Sequence, residues 1–239
     1  MSCPPGIFAE KLAPIIRYIL RRWPPALAAC WLAVDSGAAQ EIGKLYDTRP
    51  PPGYAFIRVA AGDDLKASAK LRIDAVEMPV DENEVASRYR AVRADKPVKL
   101  SIDGTTIAEG ITPLPDKFYT LVVSRNGAGW SGFAIDEGQG SANDLKAQLR
   151  FFNLIAGCEA SLKVAEGPSV FDAATFGSVK SRAINPVQAQ LEASCNGHSA
   201  PSKLPQLRAG DHYSLFLREV AGKPALSGQF DETEPYRDR

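Results

Sequence analysis

The residue types that most often carry catalysis are scarce in this chain of 239 residues. It has two histidines, His198 and His212, so a histidine general base for hydrolysis or acyl transfer has few sources. No Gly-x-Ser-x-Gly elbow is present to expose a nucleophilic serine. His198 falls in a turn-like string, and His212 precedes a predicted strand where the first half of the chain has Phe118. We therefore predict no catalytic residue.

Patterns for metals and cofactors are also missing from the sequence. Cys158 and Cys195 stand far apart with one histidine nearby, which is not zinc spacing. The string at residues 81–84 lacks the glycine and the alternating ligands of a calcium loop, and no phosphate-binding glycine loop occurs. We predict no metal and no cofactor. Paired carboxylates for glycoside chemistry stay open, because the fold sets their separation.

A proline-rich arm precedes the first predicted strand and carries two candidate contact residues. Pro50-Pro51-Pro52 stiffens an extended segment between Tyr46 and Tyr54, and Gly53 permits a bend. The arm can simply lead the chain into its first strand. Alternatively, Tyr46 and Tyr54 can contact a partner or a sugar, because a preordered segment loses little entropy on binding.

Trp130 is the third candidate for sugar contact. It follows a glycine-rich turn at residues 126–129, and its indole could stack on a sugar. Its counterpart in the second half of the chain reads as the apolar Leu226. That match favours a place in the core.

Residues 1–39 are typical of a cleavable signal peptide. Arg21 and Arg22 precede the apolar run 24–34, and small residues at 37–39 precede Gln40. A membrane anchor would need about 20 uninterrupted apolar residues, and charges break this segment. Lipidation of Cys30 is disfavoured because the apolar run before it is short. We expect cleavage and export from the cytoplasm.

The expected export also affects whether the cysteines can form a disulfide. Cys158 and Cys195 are the two that stay after cleavage, in a compartment that oxidises thiols. They can form a disulfide or stand as two buried thiols, because sequence does not show whether their side chains meet.

Charge excludes one class of partner. The 28 Lys and Arg residues balance the 28 Asp and Glu residues, so the chain has no positive surplus with which to hold a polyanion. We predict no nucleic-acid binding.

Five short signatures recur in the same order in the two halves of the chain, which indicates two copies of one domain. The pairs are Ala55-Phe-Ile-Arg58 with Ala147-Gln-Leu-Arg150, Ala67-Ser-Ala-Lys-Leu71 with Ala160-Ser-Leu-Lys-Val164, Arg93-Ala-Asp-Lys-Pro-Val98 with Arg182-Ala-Ile-Asn-Pro-Val187, Tyr119-Thr-Leu-Val-Val123 with Tyr213-Ser-Leu-Phe-Leu217, and Ser131-Gly-Phe133 with Ser227-Gly-Gln-Phe230. Asp103-Gly104 and Asn196-Gly197 are hairpin signals in corresponding places.

Short segments rich in β-branched and aromatic residues, bounded by turn residues, fill both copies. The sequence predicts an all-β protein with two tandem β-sandwich domains, jelly-roll or Ig-like, related by internal duplication. The predicted divisions are a signal peptide (1–39), a proline-rich arm (40–52), domain 1 (53–137), domain 2 (146–230) and a flexible tail (231–239). The polar string 136–144 is the expected linker. Residues 83–93 are a helical candidate that could equally be a loop or a strand.

The quoted residues resemble a known family. Leu45-Tyr-Asp, the proline step and Gly53-Tyr-Ala-Phe-Ile-Arg-Val59 are similar to the start of the mature AlgF proteins of bacterial alginate O-acetylation. Phe151-Phe-Asn153 and the signatures at 160–164 and 213–217 are similar to the later half of that family. The resemblance extends from Leu45 to Phe230. Relatives serve other acetylated exopolysaccharides, including cellulose.

This resemblance implies a non-catalytic periplasmic adaptor in an O-acetylation complex. Its implied partners are periplasmic acetyl-transfer proteins and a membrane-bound O-acyltransferase, with polysaccharide as a further ligand. Two alternatives stay open: a carbohydrate-binding or surface-adhesion module, and an enzyme that itself carries acetyl groups.

Overall fold

A computed structural model describes residues 49–63, 65, 68–140 and 145–236. The predicted signal peptide and Tyr46 lie outside these residues, as does most of the predicted arm. Regular secondary structure in the described ranges consists of strands alone, in agreement with the predicted fold class. No helix in these ranges is long and apolar enough to cross a membrane.

The described residues form eight strands in each predicted domain. Those of domain 1 are β1 (Tyr54–Ala61), β2 (Leu71–Ile73), β3 (Val76–Glu77), β4 (Arg90–Arg93), β5 (Val98–Ile102), β6 (Thr105–Ile111), β7 (Phe118–Asn126) and β8 (Gly129–Gly138). Those of domain 2 are β9 (Ala147–Asn153), β10 (Ala160–Val164), β11 (Ser169–Ala174), β12 (Ser178–Ile184), β13 (Ala189–Cys195), β14 (His198–Leu204), β15 (His212–Val220) and β16 (Lys223–Phe230).

Each domain has an inner and an outer four-stranded sheet, with the same strand order in both copies. The inner sheets are β4-β1-β7-β8 and β12-β9-β15-β16, and the outer sheets are β3-β2-β5-β6 and β11-β10-β13-β14. In each inner sheet the first strand of the domain runs parallel to the seventh. The shared order shows two tandem β-sandwiches of one topology. The parallel pair distinguishes them from an all-antiparallel jelly roll.

The central strands of the inner sheets, β1, β7, β9 and β15, are buried on both faces over most of their length. Ala55, Ile57 and Val59 of β1 belong to the core between the two sheets of domain 1. Ala60, on the opposite face of β1, packs in one cluster with Phe152 of β9 and Phe216 of β15. Because side chains alternate across a strand, one row of β1 fills its own sandwich and the next row fills the domain interface. The order of layers is therefore outer, inner, inner, outer.

Strand registers support two of the five signature matches. Arg58 lies beside Thr120 in the first parallel ladder, and Arg150 lies beside Ser214 in the second. The signatures of β1 with β9 and of β7 with β15 therefore correspond residue by residue. The hairpin signals also correspond, because Asp103 and Asn196 both have positive φ and are each followed by a glycine with positive φ.

The other three matches are out of register. Ile73 pairs with Leu100, and Leu162 pairs with Ala193 at the equivalent place, so Leu162 corresponds to Ile73 rather than to Ala69. Arg182 likewise corresponds to Arg90 rather than to Arg93, and Ser227 to Phe133 rather than to Ser131. Three-to-six-residue strings of common residue types are too short to fix a register. The duplication inferred from them holds at the level of topology.

Three predicted boundary features need correction. The linker begins later than expected, because residues 136–138 belong to β8 and the Glu137 side chain is fully buried. Residues 83–93 do not form a helix, since they contain an isolated bridge from Ala86 to Ala60 and then β4. The expected flexible tail starts with a packed segment, in which Asp231 and Thr233 are buried. In each case tertiary contacts outweigh the local preference of a polar string.

The structure also shows the conformation of the proline–glycine turn and the state of the cysteine pair. Tyr54 N donates to Pro51 O at 3.0 Å across a turn in which Gly53 has φ 78°, the left-handed position that a type II turn requires. Cys158, just before β10, forms a disulfide with Cys195 at the end of the adjacent β13. Both half-cystines are buried in the core of domain 2.

Candidate functional site

Two arginines on equivalent strands meet at the domain interface. Arg58 on β1 is 0% exposed and Arg150 on β9 is 3% exposed. They stand on the rows of β1 and β9 that face the opposite domain, because their neighbours on either side fill the sandwich cores. An arginine is almost never fully buried unless it is paired, so these positions require acidic partners.

The partners come from the ends of the last strands. Glu137 follows Asp136, which pairs with Tyr119, and Asp231 follows Phe230, which pairs with Tyr213. Glu137 and Asp231 are therefore equivalent residues of the two repeats. The interdomain charge cluster, made of Arg58, Arg150, Glu137 and Asp231, thus contains one cation and one carboxylate from each copy.

Asp231 bridges the two arginines directly. Its Oδ1 accepts from Arg58 Nη1 and its Oδ2 from Arg150 Nη1, both at 2.7 Å. Glu137 Oε2 is 3.6 Å from Arg58 Nη2 and 3.6 Å from Arg150 Nε. All four side chains are at most 4% exposed. Arg58 and Arg150 each contact a carboxylate of the opposite domain, so the cluster fixes how the sandwiches sit together.

Neutral groups complete the hydrogen bonding. Thr120 Oγ1 accepts from Arg58 Nε at 2.8 Å and donates to Glu137 at 2.6 Å. Ser214 Oγ, the equivalent hydroxyl, accepts from Arg58 Nη2 at 3.0 Å. The Tyr89 hydroxyl lies 2.8 and 2.9 Å from the two Glu137 oxygens, and its ring faces the Arg58 guanidinium at 4.3 Å. These bonds offset the desolvation of the charges.

Burial and neighbouring charges determine the protonation states within the cluster. Burial alone would raise the pKa of the Asp231 carboxyl, but the guanidinium groups of Arg58 and Arg150 outweigh it and hold that pKa below its usual range. Burial raises the pKa of the Tyr89 phenol well above its ordinary value, against the opposing charge of Arg58. Tyr89 therefore stays protonated and donates to Glu137. The arrangement locks the two domains together by ion pairing.

Gln229 adds interdomain hydrogen bonds along the same interface. Gln229 of β16 accepts at Oε1 from the backbone N–H groups of Val85 and Ala86, both at 2.9 Å, and its Nε2 donates to Ala86 O at 3.0 Å. The segment before β4 is bridged to β1 on one side, through Val85 O and Ser87 N, and the N–H groups of Val85 and Ala86 are bonded by Gln229 instead of by a strand. Gln229 therefore satisfies in domain 1 the backbone groups that a neighbouring strand would otherwise satisfy.

Asp231 also anchors the C-terminal segment (residues 231–236), which crosses to domain 1. Tyr89 N donates to Glu232 O at 2.8 Å, and Glu234 N donates to Tyr89 O at 2.7 Å. Arg88 pairs with Glu232 at 2.9 Å, and Arg90 pairs with Glu234. Tyr236 then meets Tyr54 edge to face, with ring centroids 5.0 Å apart. The segment is a short parallel addition to the edge of the inner sheet.

The C-terminal segment forms one wall of an open groove at the side of domain 1. This β4 groove has a volume of about 800 Å³ and is lined by residues 73–77, 90–92 and 234–236. A smaller cavity of about 440 Å³ shares Glu234 and Pro235 as part of its lining. The β4 groove lies between the edge strands β4 and β3, which belong to opposite sheets of the sandwich.

The candidate residues chosen from the sequence lie in different parts of the described structure. Tyr54 is partly buried beside Tyr236. The Arg93 guanidinium lies over the Tyr54 ring, 5.6 Å from its centroid. Trp130 packs against the core of domain 1 and stacks with Arg125 at 4.1 Å, and its counterpart by register is Pro224 rather than Leu226. His198 is exposed on β14, and His212 is buried at the start of β15.

The interdomain charge cluster was missed by sequence reasoning, although a signal for it existed. Arg58 and Arg150 end a signature whose two copies correspond in register. Arg58 interrupts a run that is otherwise apolar or small, and Arg150 lies between Leu149 and Phe151. A charged residue repeated at the centre of a buried strand indicates a buried partner. The identity of that partner depends on domain packing.

Fold and site together define a two-domain β-sandwich protein with a sealed interdomain charge cluster. No family model and no curated protein matches the chain. Among solved structures, it is similar to CBMbc (family CBM26) from Eubacterium rectale Amy13K in complex with maltoheptaose, with 8% identity, 75% of this chain and 98% of that chain covered, and a TM-score of 0.24.

Two Bacteroides proteins assigned provisionally to cell adhesion are also similar. The one from Bacteroides ovatus ATCC 8483 has 10% identity, 78% and 100% coverage of this chain and of that chain, and a TM-score of 0.24. The one from Bacteroides uniformis ATCC 8492 has 12% identity, 75% and 99% coverage, and a TM-score of 0.26. At these TM-scores the similarities carry no argument about function.

Proposed function

We propose that this protein is a non-catalytic periplasmic accessory subunit of an exopolysaccharide O-acetylation complex of the alginate or cellulose type. The observation that carries the proposal is the interdomain charge cluster, in which Asp231 bonds to Arg58 and Arg150 at 2.7 Å. It joins two sandwiches into one body and so holds the β4 groove in a fixed place, as a platform for partners requires. The ordered resemblance to the AlgF family supports this choice of complex.

Deletion of the gene tests this function. We expect the secreted polysaccharide to lose its O-acetyl groups, measured by proton NMR of the purified polymer, while its yield is unchanged. Re-expression of the protein should restore acetylation. Purified protein should also bind at least one of the periplasmic acetyl-transfer proteins encoded with it. Unchanged acetylation in the deletion strain would reject the proposal.

A second candidate function is carbohydrate binding, as in a binding or adhesion module. It is favoured by the pair of Tyr54 and Tyr236, whose rings meet beside Arg93 and of which Tyr236 lines the β4 groove. Partly exposed aromatic rings next to a guanidinium can stack on and hydrogen-bond sugars. Alginate and cellulose oligosaccharides added to the protein alone should then shift the NMR signals of Tyr54. Tyr54→Ala should abolish the shifts at Tyr236, and Tyr54→Phe should retain them.

A further inference from the structure

The duplication gives β4 and β12 equivalent places, each at one edge of an inner sheet. By register, Arg182 of β12 corresponds to Arg90 of β4. A second cation stands two residues earlier in each copy, Lys180 in domain 2 and Arg88 in domain 1. The edge of domain 2 therefore repeats the basic pattern found at the edge of domain 1.

In domain 1 this basic pattern holds an acidic strand. Glu232 of the C-terminal segment pairs with Arg88 at 2.9 Å. Glu234, two residues further on, pairs with Arg90. Between the two ion pairs, Tyr89 N donates to Glu232 O at 2.8 Å, and Tyr89 O accepts from Glu234 N at 2.7 Å. The molecule thus contains one example of what such an edge binds, which is an extended Glu-x-Glu segment added as a parallel strand.

The equivalent cations of domain 2 have no such partner. Lys180 and Arg182 are exposed, and within the described ranges neither forms an ion pair with a carboxylate. Their pair partners on β9, Phe151 and Leu149, both belong to the core of the sandwich, so the two cations share one face of β12. Carboxylates two residues apart on an added strand also share one face and can reach both cations.

The backbone of β12 is open between these two cations. Leu149 of β9 turns its backbone groups toward β12, because the preceding residue donates its N–H on the β15 side. Arg182 pairs with Leu149, so Ser181, the residue before it, directs its N–H and C=O outward. Ser181 is exposed, whereas Tyr89, whose outward groups bond to the C-terminal segment, is 0% exposed.

The linker does not supply an acidic strand to this edge. It continues from Glu137 as the C-terminal segment continues from Asp231, the equivalent residue. The positions that are glutamates in the C-terminal segment are glycines in the linker, Gly138 and Gly140. Among the described residues, the bridge that the C-terminal segment makes to Tyr89 has no counterpart on the outward side of β12. An acidic strand for domain 2 must therefore come from another chain.

We propose that the outward edge of β12 binds an extended acidic segment of a partner protein, of the pattern Glu-x-Glu, as a parallel strand. The two carboxylates pair with Lys180 and Arg182, and the backbone pairs with Ser181. The middle residue is small and faces the interdomain side, as the buried Thr233 does beside Tyr89. Main-chain hydrogen bonds supply affinity in such strand addition, and the ion pairs select acidic over basic segments. This site goes beyond the proposed function and does not require it.

The test uses a capped peptide, Asp-Glu-Thr-Glu-Thr, added to the purified protein and followed by NMR of backbone amides. We expect shifts centred on Lys180, Ser181 and Arg182. The double variant Lys180→Glu and Arg182→Glu should weaken binding by about tenfold or more, because two attractive pairs become repulsive. Lys203→Glu, the reversal of an exposed cation on β14, is the matched control and should bind as wild type does. A peptide with lysine in place of both glutamates should prefer the double variant.

Methylated peptides test the backbone pairing. Methylation of the second glutamate nitrogen removes the N–H that would donate to Ser181 O, as Glu234 N donates to Tyr89 O, and should abolish binding. Methylation of the nitrogen of the threonine between the glutamates should have little effect, because that N–H points away from the edge in this register. Ser181→Pro removes the outward N–H of β12 and should weaken binding, whereas Ser181→Thr keeps it and should not.

Absence of binding at millimolar peptide, or equal binding by wild type and the double variant, would overturn the proposal. Shifts centred on Tyr89 would also overturn it, because the peptide would then be displacing the C-terminal segment from β4. So would self-association that is lost in the double variant, measured by light scattering, since it would assign the edge to the C-terminal segment of a second copy. The titration contains no polymer and no acetyl donor, so its failure would leave the acetylation test of the proposed function unaffected.

Discussion

Arg58 and Asp231 are 173 positions apart in the chain, yet Arg58 Nη1 donates to Asp231 Oδ1 at 2.7 Å in a site closed to solvent. The pair connects the first strand of domain 1 with the residue that follows the last strand of domain 2. If the domains separated, each charge would be left without its interdomain partner. The two sandwiches should therefore unfold together.

Arg58→Ala should be severely destabilising. Removal of one partner leaves Asp231 and Glu137 buried with a single guanidinium, and breaking a buried pair costs about 3–5 kcal/mol. Arg88→Ala is the matched control, because Arg88 pairs with Glu232 at 2.9 Å but its side chain is 54% exposed. The control should cost less than about 1 kcal/mol. Urea unfolding measures both, and equal losses would show that the cluster does not hold the domains.

The cluster should make stability depend on pH in the acid range. The pKa of Asp231 is lower in the folded protein than the ordinary value of 3.8, so its contribution is full above that value and is lost as pH falls through the folded pKa. The free energy of unfolding should decrease below about pH 4. Asp231→Asn should flatten this decrease while lowering stability at neutral pH.

Glu109→Gln, which removes an exposed carboxylate on β6, is the control for the loss of stability at neutral pH. It should change the free energy of unfolding there by less than about 0.5 kcal/mol. An identical acid slope in wild type and Asp231→Asn would contradict the assignment of this titration to Asp231.

Reduction of the disulfide should lower stability. The Cys158–Cys195 bond closes a loop with a sequence separation of 37, and constraining a loop of that size in the unfolded chain is worth about 2–4 kcal/mol. Unfolding in urea with and without dithiothreitol measures the difference. The double variant Cys158→Ala and Cys195→Ala should be insensitive to the reductant, and a wild type that is equally insensitive would contradict the prediction.

Gln229→Leu should destabilise the interface by a different route. The change leaves the N–H groups of Val85 and Ala86 and the carbonyl of Ala86 without their bonds at 2.9–3.0 Å. Unsatisfied buried groups cost about 1–3 kcal/mol each before relaxation. Gln190→Leu, at an exposed position on β13, is the control. Amide hydrogen exchange should rise at Val85 and Ala86 in the first variant alone.

Local patterns predicted the strands and the duplication, but only part of the register. The signature ending at Arg58 and Arg150 and the one beginning at Tyr119 and Tyr213 lie in central parallel pairs, where burial on both faces restricts the residues that fit. The signatures at 93–98 and 182–187 lie partly in loops, where many residue types are accepted. The order of the five signatures along the chain was therefore better evidence for duplication than any single match.

By itself the sequence determined the all-β class, the two copies and the hairpin turns, because these depend on residue types within a few positions of one another. Only the tertiary structure decided that Glu137 and Asp231, in strings that read as linker and tail, would be buried with Arg58 and Arg150. It also decided that the C-terminal segment would cover part of the β4 edge and leave a groove. The physical reason is that a buried charge pair and an added strand each join residues distant in the chain, and no local preference encodes which distant group will arrive.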